Sequence, residues 1–316
     1  MIVNSMENLT SADRFILLGL TSTPYLQELC VLLILIIYLV TIGGNLLLII
    51  VVGTSVQLQT PMYFFLCNLS VIDICFSSTI VPKLLINTVA RDKSVSLLGC
   101  GVQMYFHLAL GSTECIILSV MAYDRYAAIC KPLHYYKLMN KRVCISLASG
   151  SWAVSLINSA IHVVFTFQLP FCRSNHLNHF FCEIPPFLYI SCRDTWFNEV
   201  AMYISATLIG IGSFFFTLIS YVYIVLTILK MCSSQGRIKT FSTCASHLTV
   251  VLLYYVTIMF MYLRPHLDYY PETSKTVSLI YTVLTPMLNP IIYSIRNGEV
   301  KSSIKNKLTI ETLKKF

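Results

Sequence analysis

The feature that most constrains this chain is a series of seven apolar segments, each long enough to cross a lipid bilayer. A transmembrane helix needs about 20 predominantly apolar residues. Scanning the sequence predicts spans at about 26–53, 61–85, 98–124, 143–168, 197–229, 240–263 and 273–294. The seventh segment is interrupted by polar residues, which usually face the interior of a bundle. We therefore predict an all-α membrane protein, a seven-transmembrane helix bundle formed by a single domain over residues 1–316.

The composition agrees with a membrane environment. Only 11% of the residues are charged and 56% are apolar, whereas soluble domains carry about 25% charged residues. The net charge of +8 is spread without the basic run or stripe that nucleic-acid binding requires. These numbers predict a lipid membrane, and no nucleic acid, as a partner.

The distribution of Lys and Arg predicts the orientation. Of the 22 basic residues, 14 fall on one side of the predicted bundle and 8 on the other, and the richer side is expected to be cytoplasmic. The tail 1–25 is then extracellular and the tail 295–316 cytoplasmic. Asn8 begins the sequon Asn-Leu-Thr in the outer tail, which predicts glycosylation there. No cleavable signal peptide is evident, so the first span is expected to act as a signal anchor at the plasma membrane.

Four of the 12 cysteines fall on the outer side, where disulfides can form: Cys100, Cys172, Cys182 and Cys192. Four cysteines allow three connectivities. The other cysteines lie in spans or at the inner face, where a cysteine usually packs as a small hydrophobic residue.

Two segments outside the spans have recognisable characters. Residues 169–196 form a long, cysteine-bearing and aromatic outer loop, and we expect this loop to cover a binding cavity. Residues 296–308 are polar and basic, with Val300, Ile304 and Leu308 at four-residue spacing. That spacing predicts a short amphipathic helix on the inner membrane surface.

Ionisable side chains inside the spans are costly and therefore functional candidates. Asp73 lies in the middle of the second span and Glu114 in the middle of the third, while Asn45 and Asn289 lie in the first and seventh. One hypothesis is a polar core that responds to a sodium ion or a proton. The alternative is simple hydrogen-bonded packing with a proton-bearing Glu114.

An adjacent Asp124-Arg125 pair stands at the inner end of the third span. It could be an ordinary interfacial anchor. Its position favours a switch instead, because Arg presents five donors that Asp124 can hold in one state and release to a partner in another. Pro286 and Pro290 interrupt the seventh span, and interior prolines kink a helix and free carbonyl groups.

Six ordered motifs carry a family resemblance over nearly the whole chain: Gly44-Asn45, 58–63 (LQTPMY), 121–130 (MAYDRYAAIC), Ser220-Tyr221, 239–247 (KTFSTCASH) and 286–293 (PMLNPIIY). The chain resembles a class A G-protein-coupled receptor and, within that class, a vertebrate olfactory receptor. It departs mildly from the family pattern at Gln59, Ala127 and Thr240. Val256 stands where glycine is usual in the family and adds bulk to the pocket near the sixth span.

The resemblance implies several roles. It implies the bridges Cys100–Cys182 and Cys172–Cys192. It also implies an odorant receptor without enzymatic activity or cofactor, which acts through a stimulatory G protein of the olfactory type and cyclic AMP in sensory-neuron cilia. The polar core would be Asn45, Asp73, Glu114 and Asn289. The activation switch would be Asp124, Arg125, Tyr126, Tyr221, His247, Asn289, Pro290 and Tyr293.

Family topology together with helical spacing predicts an apolar ligand pocket in the outer half of the bundle, suited to small volatile molecules. The predicted contacts are His107, Leu108, Gly111, Ser112, Ser205, Ala206, Ile209, Tyr255, Ile258, Met259, Tyr262, Tyr281 and Thr282. His107 has an equally simple interpretation as a hydrogen-bonded core residue. It stands where amine receptors carry an aspartate, and Val283 stands where opsins carry the retinal lysine, so both of those functions are disfavoured.

Three other functions compete with this hypothesis. A receptor for a lipid or peptide would lack the third-span and sixth-span motifs. A transporter or channel would show paired broken helices or a polar line across the membrane. A membrane enzyme would need a metal cluster, nucleophile elbow or phosphate loop, and the sequence has no such motif.

Overall fold

The computed structural model is a helical bundle in which seven long helical segments follow one another along the chain. The structure describes residues 14–20, 23–90, 92–172, 174–231, 233–262, 271–296, 300 and 302–303. Six helical segments are long and apolar enough to cross a membrane, and a seventh contains the shorter apolar stretch His247–Phe260. The predicted fold class is thus observed.

We number the seven segments spans 1 to 7. Their bounds are Pro24–Thr54, Pro61–Val89, Leu97–Cys130, Lys141–Phe167, Trp196–Leu229, Ser234–Tyr262 and 271–296. Each lies within a few residues of its predicted position. Spans 5 and 7 are not uniform α-helices, since each contains a π-helical segment, Ala206–Ile211 and Ile280–Leu284.

Local sequence explains where the helices begin. Pro61 is the first residue of span 2, and proline is favoured there because the first helical N–H groups have no intrahelical acceptor. The Ser96 hydroxyl accepts a hydrogen bond from Gly99 N at the start of span 3 (3.1 Å). The Asn140 side chain accepts one from Val143 N at the start of span 4 (3.0 Å). These are N-caps, which stabilise a helix by about 1 kcal/mol each.

Each span presents one face to its neighbours and another to the outside. Leu39 in span 1 and Leu208 in span 5 are 61% and 71% exposed, whereas Phe76 and Leu118 are almost fully buried between helices. Large exposed apolar side chains over the length of the spans are unfavourable in water but suit lipid. The chain is therefore a multi-pass membrane protein.

A small β-sheet closes the outer end of the bundle. Strand β1 (Arg14–Leu17) lies between β2 (Ser94–Ser96), to which it is antiparallel, and β3 (His176–Leu177), to which it is parallel. Phe15 and Leu17 of β1 are buried. The sequence predicted residues 1–25 only as an extracellular tail, so the strand within it and the sheet were not expected.

The long outer loop is compact and largely buried. It contains a short helix, Ile184–Ile190, and three of its phenylalanines, Phe180, Phe181 and Phe187, are buried. Disulfides join Cys100 to Cys182 and Cys172 to Cys192. Those two pairs are the connectivity that the family resemblance implies.

Two predictions fall mainly outside the described residues. The sequon at Asn8 lies there. Of the expected amphipathic helix at 296–308, only residues 296, 300, 302 and 303 are described, and these four are helical.

Candidate ligand cavity and inner switch

A cavity of about 80 Å³ lies in the outer half of the bundle and receives side chains from spans 2 to 7 and from the outer loop. Pockets for drug-sized ligands have volumes of about 300–1,000 Å³. The present cavity therefore suits only a small molecule. Phe76, Leu108, Met202 and Ile258 contribute apolar surface.

Ten of the thirteen predicted ligand contacts line this cavity. They are His107, Leu108, Gly111, Ser112, Ser205, Ala206, Ile209, Ile258, Met259 and Tyr281. They come from four different spans, so the family topology and the helical spacing place them at a common cavity.

Two predicted contacts point elsewhere. Tyr255 is fully buried, and its hydroxyl donates to the carbonyl oxygen of Cys115 at 2.8 Å, so it packs between spans 3 and 6. The Thr282 hydroxyl donates within its own helix to Ser278 O (2.6 Å), because one residue beyond Tyr281 the helix has turned away from the cavity. Both assignments need correction as lining residues. The side chain of Tyr262 lies outside the described residues.

Aromatic side chains surround the ring of His107 where the cavity meets the outer loop. Its ring centroid is 4.7 Å from that of Phe181 in the outer loop and 5.2 Å from that of Phe76. Its Nε2 lies 3.3 Å from the hydroxyl of Tyr281. His107 thus combines the two alternatives of the sequence analysis, because it is both a hydrogen-bonded, buried residue and a lining residue.

Span 4 supplies polar lining residues that the sequence analysis missed. His162 Nε2 lies 2.8 Å from Ser205 Oγ, and the Ser205 hydroxyl donates to Asn158 Oδ1 at 2.9 Å. All three side chains line the cavity. A sequence signal existed, since Asn158 and His162 are four residues apart and therefore lie on one face of span 4.

Two buried titratable groups of the outer loop, His179 and Glu183, approach to 3.1 Å between Nε2 and Oε1. Burial, with a smaller contribution from the positive charge of Lys275, lowers the pKa of His179 to about 3. Burial raises the pKa of Glu183 to about 8, against an opposing effect of Tyr281. The distance would suit an ion pair, but these pKa values make both groups neutral at pH 7. Burial thus disfavours the charged form of each group in this contact.

A polar core lies deeper in the bundle. The Asn289 amide donates to both carboxylate oxygens of Asp73, at 3.1 Å each. Glu114 is also buried, and its Oε1 has no protein partner in the described part of the chain. Asp73, Asn289 and the neighbouring Asn45 are likewise buried. Spans 1, 2, 3 and 7 thus all contribute polar groups to one level of the bundle.

The prolines of span 7 explain one of these contacts. Pro290 has no N–H, so the carbonyl group of Pro286 loses its intrahelical donor. The Asn45 amide of span 1 donates to that carbonyl oxygen at 3.1 Å. Span 1 can approach closely because Gly44 has no side chain, and a Cβ there would lie 3.2 Å from Pro290 Cγ. The kinked helix is therefore held by a specific contact between helices.

At the inner end of span 3, Asp124 and Arg125 are adjacent and interact electrostatically, but no hydrogen bond joins them among the described residues. Asp124 Oδ1 instead accepts a hydrogen bond from the hydroxyl of Tyr135, at 2.8 Å, in the inner loop. Among the described residues, Arg125 Nε has no hydrogen-bond partner. The reason is geometric: the aromatic side chain from the loop reaches the carboxylate directly.

The remaining switch candidates lie on spans 3, 5, 6 and 7, and contacts join those of spans 3, 5 and 6. The Tyr221 hydroxyl lies 2.7 Å from His247 Nδ1, and their rings are stacked. Tyr126 packs its ring against Tyr223, with centroids 5.8 Å apart. Tyr293 is buried, and its hydroxyl has no protein partner within the described ranges. The inner half thus contains both a formed contact between spans 5 and 6 and an unpartnered tyrosine on span 7.

Comparison with known proteins agrees with this architecture. The sequence model of the olfactory receptor family matches residues 34–311. Olfactory receptor 10A7 of Homo sapiens is 48% identical over 310 residues, which cover 98% of each chain. Olfactory receptor 5AP2 of Mus musculus is 48% identical over 302 residues, 96% of this chain and 95% of the relative. Olfactory receptor 5G3 of Homo sapiens is 46% identical over 302 residues, 96% of each.

The chain belongs to the olfactory receptor family. Members of this family are receptors and not enzymes, as the sequence analysis predicted. The family match covers residues 34–311, which include most of span 1, the other six spans and the four bridged cysteines.

Proposed function

We propose that this olfactory receptor binds small, mostly apolar volatile odorants in the cavity between spans 3, 4, 5, 6 and 7. The observation that carries the proposal is the cavity itself, an apolar space of about 80 Å³ with a few hydroxyl, amide and imidazole groups. Such a lining matches weakly polar ligands, because a few placed polar groups orient a molecule that apolar contacts retain.

We further propose that an occupied cavity activates a heterotrimeric stimulatory G protein of the olfactory type at the inner ends of the spans and raises cyclic AMP. Span 7 connects the two regions, because Tyr281 lines the cavity while Asn289, Pro290 and Tyr293 lie further along the same kinked helix. An odorant shifts the receptor toward the active state only if it binds that state more tightly. Release of Asp124 from Tyr135 and a new partner for Arg125 are the inner rearrangements that we expect.

The polar core is proposed to hold a sodium ion or a proton. Asp73 and Glu114 would repel each other if both were charged in this buried region. No group of three His, Cys, Asp or Glu residues able to hold a metal occurs within the described ranges. The oxygen atoms that lack protein partners there, Glu114 Oε1, Asn45 Oδ1 and Asn289 Oδ1, suit a hard cation. A sodium ion would balance one carboxylate, and a proton would neutralise the other.

The proposed orientation has the N-terminal tail outside, glycosylated at Asn8, and the C-terminal tail in the cytoplasm. It is supported by the excess of basic residues on the inner side and by the two disulfides on the outer side. We propose the plasma membrane of sensory-neuron cilia as the location of this receptor.

The experiment that tests the proposed function fills the cavity. Ala206 lines it, so Ala206→Phe should abolish the cyclic AMP response to every odorant that activates the wild-type receptor in a reporter assay. Ala153 is exposed on span 4, and Ala153→Phe should leave the response unchanged. A full response from Ala206→Phe at wild-type surface expression would show that odorants bind elsewhere.

A further inference from the structure

One wall of the cavity differs from the others because its polar side chains form a connected chain. His162 of span 4, Ser205 of span 5 and Asn158 of span 4 are linked by contacts of 2.8 and 2.9 Å. His162 is 6% exposed. Elsewhere in the lining, His107 and Tyr281 already contact each other at 3.3 Å. At this wall a ligand would therefore meet Asn158, a polar residue of span 4 that Ser205 of span 5 and, through it, His162 hold in place.

The direction of the hydrogen bonds shows which donor groups this wall can offer to a ligand. The single hydroxyl proton of Ser205 is donated to Asn158 Oδ1. Ser205 Oγ must then accept from His162 Nε2, which fixes the histidine tautomer. The Oδ1 atom of Asn158 therefore already accepts a hydrogen bond from Ser205. Its Nδ2, which carries two donors, has no protein partner in the described part of the chain.

The charge of the lining restricts the ligand further. The described lining residues include no Asp, Glu, Lys or Arg. A carboxylate or an ammonium group would therefore lose its water without gaining an opposite charge, which is strongly unfavourable. A neutral oxygen acceptor loses little on entering and gains the amide donor of Asn158.

We propose that the Asn158–Ser205–His162 chain is a specificity determinant that selects small, neutral carbonyl compounds: aldehydes, ketones and esters with a short apolar chain. Asn158 Nδ2 donates to the carbonyl oxygen of the ligand, and Ser205 and His162 hold the amide in the orientation that presents Nδ2. The inference rests on the proposed function, since it names the class of odorant for the same cavity.

The test measures binding without signalling. Purified full-length receptor is titrated with a matched six-carbon series, hexanal, 2-hexanone, hexane, hexanoic acid and hexylamine, and the apparent affinity is obtained from ligand-induced thermal stabilisation. The wild-type receptor should bind the two carbonyl compounds more tightly than the other three. Asn158→Leu should weaken carbonyl binding about tenfold, the effect of one buried hydrogen bond. Ser205→Ala should weaken it less, because Ser205 acts through the orientation of Asn158.

Ser149→Ala is the matched control, since Ser149 lies exposed on span 4 and its loss should leave every affinity unchanged. Tight binding of the acid or the amine, equal binding of hexane and hexanal, binding of none of the five, or an unchanged carbonyl affinity in Asn158→Leu would each overturn the proposal. Carbonyl-selective binding without a cyclic AMP response would remove the signalling proposal and leave this one. A cyclic AMP response restricted to charged odorants would do the reverse.

Discussion

The cavity in the outer half and the switch in the inner half bury polar groups in different ways. In the cavity, Asn158, Ser205 and His162 are bonded to one another. In the inner half, Arg125 Nε and the hydroxyl of Tyr293 are buried without a protein partner among the described residues. An unpaired buried polar group costs about 1–3 kcal/mol. The bonded chain at the cavity holds three side chains in one geometry and leaves only Asn158 Nδ2 open, whereas the unpaired groups of the inner half gain by rearranging. Our proposal of a binding half and a switching half requires this difference.

The largest effect is expected from a substitution that disrupts the outer half of the bundle. Cys100–Cys182 ties span 3 to the outer loop across 82 residues of sequence, and loss of such a bridge typically costs about 2–5 kcal/mol. Cys100→Ser should therefore remove odorant-dependent stabilisation and most surface expression, measured by thermal melting and flow cytometry. Cys75→Ser, which changes an exposed free cysteine, should resemble the wild type. Normal surface expression and binding in Cys100→Ser would mean that the loop does not depend on this bridge.

The next prediction distinguishes the role of the inner half in signalling from the role of the cavity in binding. Asn289→Ala leaves the buried carboxylate of Asp73 without its two hydrogen bonds, so the free energy of unfolding should fall by about 1–3 kcal/mol. The cyclic AMP response should fall strongly while odorant affinity changes little, because Asn289 does not line the cavity. Thr249→Ala is the control, since the exposed Thr249 hydroxyl donates to the carbonyl oxygen of Ala245 in its own helix. Equal loss of affinity and signal in Asn289→Ala would contradict a separation of the two halves.

A third prediction concerns the outer loop and pH. The pKa of His179 is lowered from 6.5 to about 3 and that of Glu183 raised from 4.5 to about 8. Between pH 4.5 and 6.5 the pair binds one proton in both the folded and unfolded states, so its contribution is constant. From pH 6.5 to 8 the folded state holds one proton more, so stability falls as the pH rises, by on the order of 2 kcal/mol.

Below pH 4.5 the unfolded state holds the extra proton, and stability falls again as the pH decreases toward 3. Thermal melting as a function of pH measures this profile. Glu183→Gln should abolish the fall in stability between pH 6.5 and 8. Glu28→Gln, at an exposed carboxyl group, should retain that fall. A Glu183→Gln receptor with the wild-type slope in that interval would show that Glu183 does not titrate there.

The smallest effect is expected from substitutions at the contact between spans 1 and 7. Gly44→Ala brings a Cβ within 3.2 Å of Pro290 Cγ, which requires a small shift of the helices and should cost about 1 kcal/mol. Gly43→Ala, with nothing within 4 Å of the added Cβ, should be neutral or stabilise by up to about 1 kcal/mol because alanine favours a helix. The difference between the two melting temperatures is the measurement. A reversed order would show that the approach of the two helices is not close.

The sequence predicted the spans well because lipid imposes a length of about 20 apolar residues. The ten contacts placed at the cavity follow from helical spacing and family topology. Tyr255 was misplaced because the spacing cannot tell whether a tyrosine turns toward a cavity or toward a neighbouring carbonyl group, here that of Cys115. The hydrogen bond from Tyr135 to Asp124 was not predicted, because Tyr135 reaches the carboxylate from a segment whose path no periodicity describes.

Two features could not be predicted from local pattern. The sheet of β1, β2 and β3 joins three distant segments of two to four residues, and strands this short carry no readable alternation. The role of Asn158 and His162 depends on Ser205 in another span. Their spacing marks a polar face on span 4, but only the packing of spans 4 and 5 shows what that face contacts.

The most direct test of the central claim, that the outer half binds and the inner half signals, is a paired measurement on Arg125→Ala. Odorant affinity from ligand-induced thermal stabilisation and the maximal cyclic AMP response are determined on the same receptor, with Arg142→Ala, at an exposed inner residue, as the control. We predict an affinity close to wild type and loss of the cyclic AMP response in Arg125→Ala only. A robust cyclic AMP response in Arg125→Ala would contradict the assignment of Arg125 to the switch.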